Sequence, residues 1–218
     1  LDMQIVVSVV SVVSGIPVFP SVQGVLLPIR RRRIVSETIT VVSRGGRIVH
    51  GIFRDFPTLS RDRYGVRRVV PFAVYRVLRD GQPEPYELQA LPNGQRVKIG
   101  AREATLASGQ HIYEISYRTA RQVSFFPEFD ELYWNVTGNG WELPIEHASA
   151  LVRLPSSAAI RQFATYTGAM GSTASNAVGA VQPVGGHRGL DEVADGTGFI
   201  ASFGNVAASV TAKPSDFR

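Results

Sequence analysis

The chain has 218 residues, 44% hydrophobic and 19% charged, a balance that fits one large globular domain with tails and is too apolar for a disordered polypeptide. It contains no cysteine, which excludes disulfide frameworks and thiolate metal sites. The net charge is +5, but only Lys98 and Lys213 of the 23 basic residues are lysines, and most arginines are interleaved with acids, as in Arg61-Asp62-Arg63. That scatter weighs against a phosphate-binding face, and a basic nucleic-acid-binding domain is kept only as an alternative.

From Gln4 to Phe19 the sequence is mostly apolar, yet shorter than the roughly 20 residues a spanning helix needs. The run Arg30-Arg31-Arg32-Arg33 follows it rather than precedes it, the wrong flank for a signal segment. Residues 1–33 are therefore read as an apolar and basic N-terminal segment, either a degenerate signal or a β-prone tail.

Ile34 to Val42 alternates, with Val35, Ile39 and Val41 on one face and Ser36, Thr38 and Thr40 on the other, the period of a half-buried strand. A turn at Ser43–Gly46 leads to a return strand over Arg47–Phe53. Val69 to Leu78 predicts a second strong strand ended by the hairpin pair Asp80-Gly81, with Pro71 marking its start or an edge. Asn93-Gly94 predicts a tight turn between Tyr86–Leu91 and Gln95–Ile99. Further strands are expected over Gln110–Arg118, Val123–Phe126, Asp130–Val136, Ile145–Leu154 and Arg161–Tyr166. In Asp130–Val136, Leu132, Trp134 and Val136 share the face opposite Glu131, Tyr133 and Asn135, which makes Trp134 a core residue.

No sustained 3.6-residue stripe and no βαβ pattern occurs, so the expected fold is all-β: an immunoglobulin-like antiparallel β-sandwich over residues 34–168, with weakly ordered N- and C-terminal segments. From Gly168 onward Gly, Ala and Ser dominate and large apolar side chains are few. Residues 169–218 read as a tail with two weak strands, Gly198–Phe203 and Val206–Thr211.

Candidate chemistry is sparse. Glu37 lies on the inward face with Val35 and Ile39, where a carboxylate is costly unless paired. Arg54 is its expected partner, in a structural ion pair rather than a catalytic one. Glu128, Asp130 and Glu131 form an acidic cluster beside Phe125-Phe126-Pro127. With Tyr133 and Trp141 they make the candidate binding surface, although the spacing lacks the pattern of a calcium loop. His50, His111, His147 and His187 show no metal-ligand spacing, and neither a P-loop nor a nucleophile elbow is present. No catalytic residue, metal or cofactor is expected.

Four segments carry a family resemblance. They are Val35–Ile39, Gly51–Pro57, Asp130–Gly138 with Trp141 and Pro144-Ile145, and Tyr166–Gly168 leading to Gly171–Ser175. In this order, over roughly residues 34 to 176, the chain resembles the bacterial predicted membrane proteins grouped as domain of unknown function 2207. The resemblance implies an extracytoplasmic β domain, membrane-attached and on the periplasmic or cell-surface side, and carries over no enzymatic activity, ligand or catalytic residue. Both ends depart from the family pattern, as altered reading frames would make them do. The function expected is that of a non-enzymatic interaction module of a membrane-anchored envelope protein, its partner a protein, peptide or cell-wall glycan. An envelope glycan hydrolase using Glu37 or the acidic cluster is the enzyme alternative.

Overall fold

The computed structural model describes residues 4–11, 33–44, 48–61, 65–142, 144–145, 147–153, 160–168, 174, 177–182, 196–202 and 206–212, and every regular element among them is a strand. In chain order these are β1 (Gln4–Ser11), β2 (Arg33–Ser43), β3 (Ile52–Phe56), β4 (Leu59–Arg61), β5 (Arg67–Val69), β6 (Phe72–Arg79), β7 (Gln82–Pro83), β8 (Tyr86–Leu91), β9 (Gly94–Ile99), β10 (Gly109–Thr119), β11 (Val123–Phe125), β12 (Asp130–Asn135), β13 (His147–Arg153), β14 (Ile160–Thr167), β15 (Ala177–Gln182), β16 (Gly196–Ser202) and β17 (Val206–Ala212). The expected all-β class holds. Arg30–Arg32 and Gly171–Thr173 lie outside the described residues.

An eight-stranded sheet runs β15-β16-β13-β1-β2-β10-β6-β7, beside a four-stranded sheet β11-β12-β17-β14, a three-stranded sheet β3-β9-β8 and the β4-β5 pair. All pairings are antiparallel except β1 with β2, a departure from the wholly antiparallel arrangement that alternation predicts. The N-terminal apolar run is not peripheral. Its strand β1 lies inside the large sheet, Gln4 opposite both Ile34 and Arg153.

One core joins the sheets. Val35, Ile39 and Val41 of β2, Tyr113, Ile115 and Tyr117 of β10, and Val77 of β6 form the inner face of the large sheet. Against it lie Ile52 and Phe56 of β3, Val97 and Ile99 of β9, and Leu132 and Trp134 of β12. The join is dense and aromatic: the Phe56 ring sits 4.8 Å from Tyr117 and 4.4 Å from Phe72. Each fully buried side chain of this size contributes about 1.5–3 kcal/mol of hydrophobic stabilisation.

Two turns explain local sequence choices. Asp80 and Gly81 both have positive φ, 52° and 78°, the type I′ geometry whose twist suits a hairpin. The turn between β8 and β9 is Pro92-Asn93, one residue earlier than expected, and Gly94 opens β9. Gly94 is required for close approach rather than for a turn. A Cβ there would stand 2.0 Å from the Phe56 carbonyl oxygen. Replacing Gly94 by Ala is therefore expected to cost about 2–3 kcal/mol, read as a lowered urea midpoint at unchanged slope. A cost under about 0.5 kcal/mol, the range of a neutral surface change, counts against this packing.

Candidate functional site

The most organised polar cluster lies between sheets. Strand alternation turns Glu37 of β2 and Tyr117 of β10 onto the same buried face, and Arg54 enters from β3 opposite. Glu37 is 0% exposed and Arg54 3%. The Arg54 Nε donates to Glu37 Oε2 at 2.8 Å and Nη2 donates to Oε1 at 3.0 Å, while the Tyr117 hydroxyl donates to Oε1 at 2.7 Å. The third guanidinium nitrogen, Nη1, donates to the Asp55 backbone oxygen at 2.9 Å. Arg54 also stacks over Phe56, 4.6 Å from the ring centre. Planar, bidentate Arg–carboxylate pairing is the strongest form of charge-assisted hydrogen bond.

The turn after β12 closes this cage. Gly138 has φ 71° and packs flat on the guanidinium; a Cβ there would lie 1.8 Å from Arg54 Nη1. Its amide donates to Asn135 Oδ1 at 2.9 Å, and Asn135 Nδ2 donates to Asn139 Oδ1 at 3.1 Å. Asn139 forms a backbone bridge to Asp55, whose carboxylate holds Arg96 in two bonds of 2.6 and 2.8 Å. The Trp141 indole N–H, donating to the Thr137 carbonyl at 2.7 Å, braces the same turn.

Electrostatics follow the geometry. Burial alone pulls the Arg54 guanidinium pKa down, but the Glu37 carboxylate outweighs it and holds the group above its ordinary value. Burial, reinforced by the charge of Glu37, pushes the Tyr117 hydroxyl well above its ordinary value of 10.0. Tyr113, whose hydroxyl is buried without a partner, is pushed up to about 12, chiefly by burial. The recess between Arg54, Phe56, Phe72, Tyr117 and Trp134 holds only about 90 Å³, far below the roughly 300–1,000 Å³ of a small-molecule site.

The acidic cluster is separated by its own strand. Asp130 points inward at 0% exposure, Glu131 lies half-buried on the opposite face, and Glu128 is exposed in the preceding loop. Tyr133 stands out from the four-stranded sheet, 53% exposed, and Trp141 is half-buried. Among the described residues no group of three His, Asp or Glu side chains is arranged to hold a metal ion. Sequence reasoning omitted Tyr117 and Gly138 from the cage. Phe125 and Phe126, which the sequence places beside the acidic cluster, are exposed at 54% and 39% at the tip of the β11–β12 hairpin.

Two outcomes are expected. Glu37→Gln or Arg54→Met strands a buried partner and lowers unfolding free energy by about 3–5 kcal/mol; the double variant costs clearly less than the sum, and additive losses in a denaturation cycle count against the pairing. Because both tyrosines keep their protons more tightly when folded, their contribution is complete below the unfolded value of 10.0. It falls as pH rises, over the window from 10.0 to about 12 for Tyr113 and to higher pH for Tyr117. Stability measured against pH is expected to decline there, and Tyr113→Phe and Tyr117→Phe to flatten the decline; a slope unchanged in both variants refutes the assignment.

Against known proteins, the chain is 32% identical over 111 residues to the "Uncharacterized protein YciQ" of Escherichia coli (strain K12), an alignment covering 51% of this chain and 18% of that relative. The chain thus spans under a fifth of the length of the curated relative it matches. No solved structure matches. No helix among the described residues is long and apolar enough to cross a membrane, which says nothing of a β-barrel. The profile described as predicted membrane protein (DUF2207) N-terminal domain matches residues 33–190, and the segments that meet at Glu37 lie within it: the chain belongs to this family of predicted membrane proteins.

Proposed function

We propose that this chain is a non-enzymatic, extracytoplasmic interaction domain of a membrane-anchored envelope protein, built as an immunoglobulin-like β-sandwich. The sandwich reading draws support from the large sheet facing the three-stranded sheet across one core. The non-enzymatic reading draws support from Glu37, both of whose carboxylate oxygens accept hydrogen bonds inside the protein. A general acid or nucleophile needs reach to a substrate atom.

The observation that carries the interaction reading is the β11–β12 hairpin. Phe125, Phe126 and, on the sheet behind it, Tyr133 expose large aromatic surface, with the Phe126 and Phe129 rings 4.8 Å apart stiffening the loop. Exposed aromatic clusters with acidic neighbours, here Glu128 and Glu131, suit a protein, peptide or cell-wall glycan, because rigid aromatics contribute binding area at low entropic cost.

Cell-wall glycan and cross-linked envelope proteins are the probes. The chain is expected to retain one of them, and the Phe125→Ala, Phe126→Ala variant to lose about tenfold or more in affinity, the effect of a hot-spot aromatic pair, with its circular dichroism unchanged. Equal retention by the variant removes the hairpin from the interface. Orientation is read separately: a membrane-impermeant thiol reagent is expected to label a Phe126→Cys variant from outside the inner membrane, and labelling only after that membrane is opened overturns the extracytoplasmic reading.

A further inference from the structure

Among the described residues, the three-stranded sheet ends in an edge that no further strand pairs. Strand β8 bonds β9 on one side and is the outer strand of its sheet. Its neighbours are protected. The β3 edge is bridged by Asn139. The β6 edge follows Pro71, carries a bulge and is capped by β7. Strand β8 has none of these devices in its interior: its register with β9 is regular from Tyr86 to Leu91, and Pro85 and Pro92 stand only at its ends. Exposed Glu87 is a charged guard on this edge, but an edge strand of regular register remains a template for a strand that can pair that charge. Its inward-facing side chains are only partly covered, although the Tyr86 hydroxyl donates to the Val74 carbonyl at 3.4 Å. Tyr86 and Leu88 sit opposite buried Ile99 and Val97, yet are 39% and 47% exposed.

We propose that two copies of this chain associate through β8, antiparallel and two-fold symmetric about Leu88, joining their three-stranded sheets into one of six strands. The sequence of the strand selects this occupant. A continuous sheet about a two-fold axis must place a residue opposite its own copy, so that side chains of one face meet. Centring on Glu87 sets two carboxylates face to face, which is destabilising. Centring on Gln89 runs Tyr86 against Pro92, beyond the strand's end. Centring on Leu88 pairs Leu88 with Leu88, Tyr86 with Ala90, and Glu87 with Gln89, an apolar pair at the axis flanked by hydrogen-bonding side chains. Every residue from Tyr86 to Ala90 then has a complement, and the exposed Tyr86 and Leu88 are covered.

The cysteine-free chain makes the register directly testable. Directly opposed residues hold their Cβ atoms about 4.5–5.5 Å apart, within small adjustments of disulfide geometry. Under mild oxidation, Leu88→Cys is expected to give a covalent species of twice 23.7 kDa at least tenfold faster than Glu87→Cys, whose thiol would face Gln89. Light scattering is expected to show the unmodified chain moving from monomer to dimer as concentration rises into the hundreds of micromolar, and Leu88→Glu, at an exposed position that leaves circular dichroism unchanged, to stay monomeric. Equal cross-linking of the two cysteine variants overturns the register. A chain that stays monomeric throughout, or a dimer indifferent to Leu88→Glu, overturns the proposal.

Discussion

A carboxylate removed wholly from water loses several kcal/mol of solvation, and the loss is recovered only where charge and donors are supplied in the right places. Glu37 imposes that demand on this protein. It is met from two further strands: Arg54 of β3 and Tyr117 of β10 converge on its two oxygens. The geometry then propagates. Arg54 must lie flat, so the surface above it admits only a glycine, Gly138, and the turn that carries Gly138 is held by Asn135, Asn139 and Trp141. Relative placement of the large sheet, the three-stranded sheet and the end of β12 is thereby set by one buried charge. Apolar packing alone tolerates sliding; a bidentate pair does not.

This explains what the family-specific stretches of the sequence do in three dimensions. Val35–Ile39 supplies Glu37, Gly51–Pro57 supplies Arg54, Asp55 and Phe56, and Asp130–Gly138 with Trp141 supplies the closing turn. Segments up to about a hundred residues apart in the chain meet around a single carboxylate, in a recess too small for an ordinary ligand. Their presence is accounted for by assembly of the fold, and the exposed aromatic hairpin and the β8 edge are not part of that recess.

Much of the strand content was legible in the sequence, because strands such as β2, β3 and β12 alternate with period two and others, β3, β8, β9 and β14 among them, are followed directly by Gly or Pro. Glu37 could be recognised as inward and in need of a cation from the same alternation. Tyr117 and Gly138 could not, since assigning them requires knowing that β10 lies beside β2 and that the turn after β12 returns to β3. The return strand was placed too early, over Arg47–Phe53 rather than Ile52–Phe56, because the apolar pair Ile48-Val49 mimics a strand; Ile48 is buried, but outside the ladder. The acidic cluster is divided by the same alternation: neighbours in a strand point to opposite faces, and Asp130 is buried while Glu131 is half-buried on the other side.

The placement of β1 bears on time as well as space. The strand occupies residues 4–11, yet it is flanked by β2 and by β13, where Gln4 faces Arg153. A parallel neighbour and a partner so distant in sequence are both slow to find, since the chain between must first be gathered. The β1–β13 ladder can close only after β13 has been synthesised, and until then that edge of a strongly apolar, strand-forming segment lacks its partner. An apolar strand with one edge still waiting for its partner is the kind of surface that aggregates and that chaperones hold.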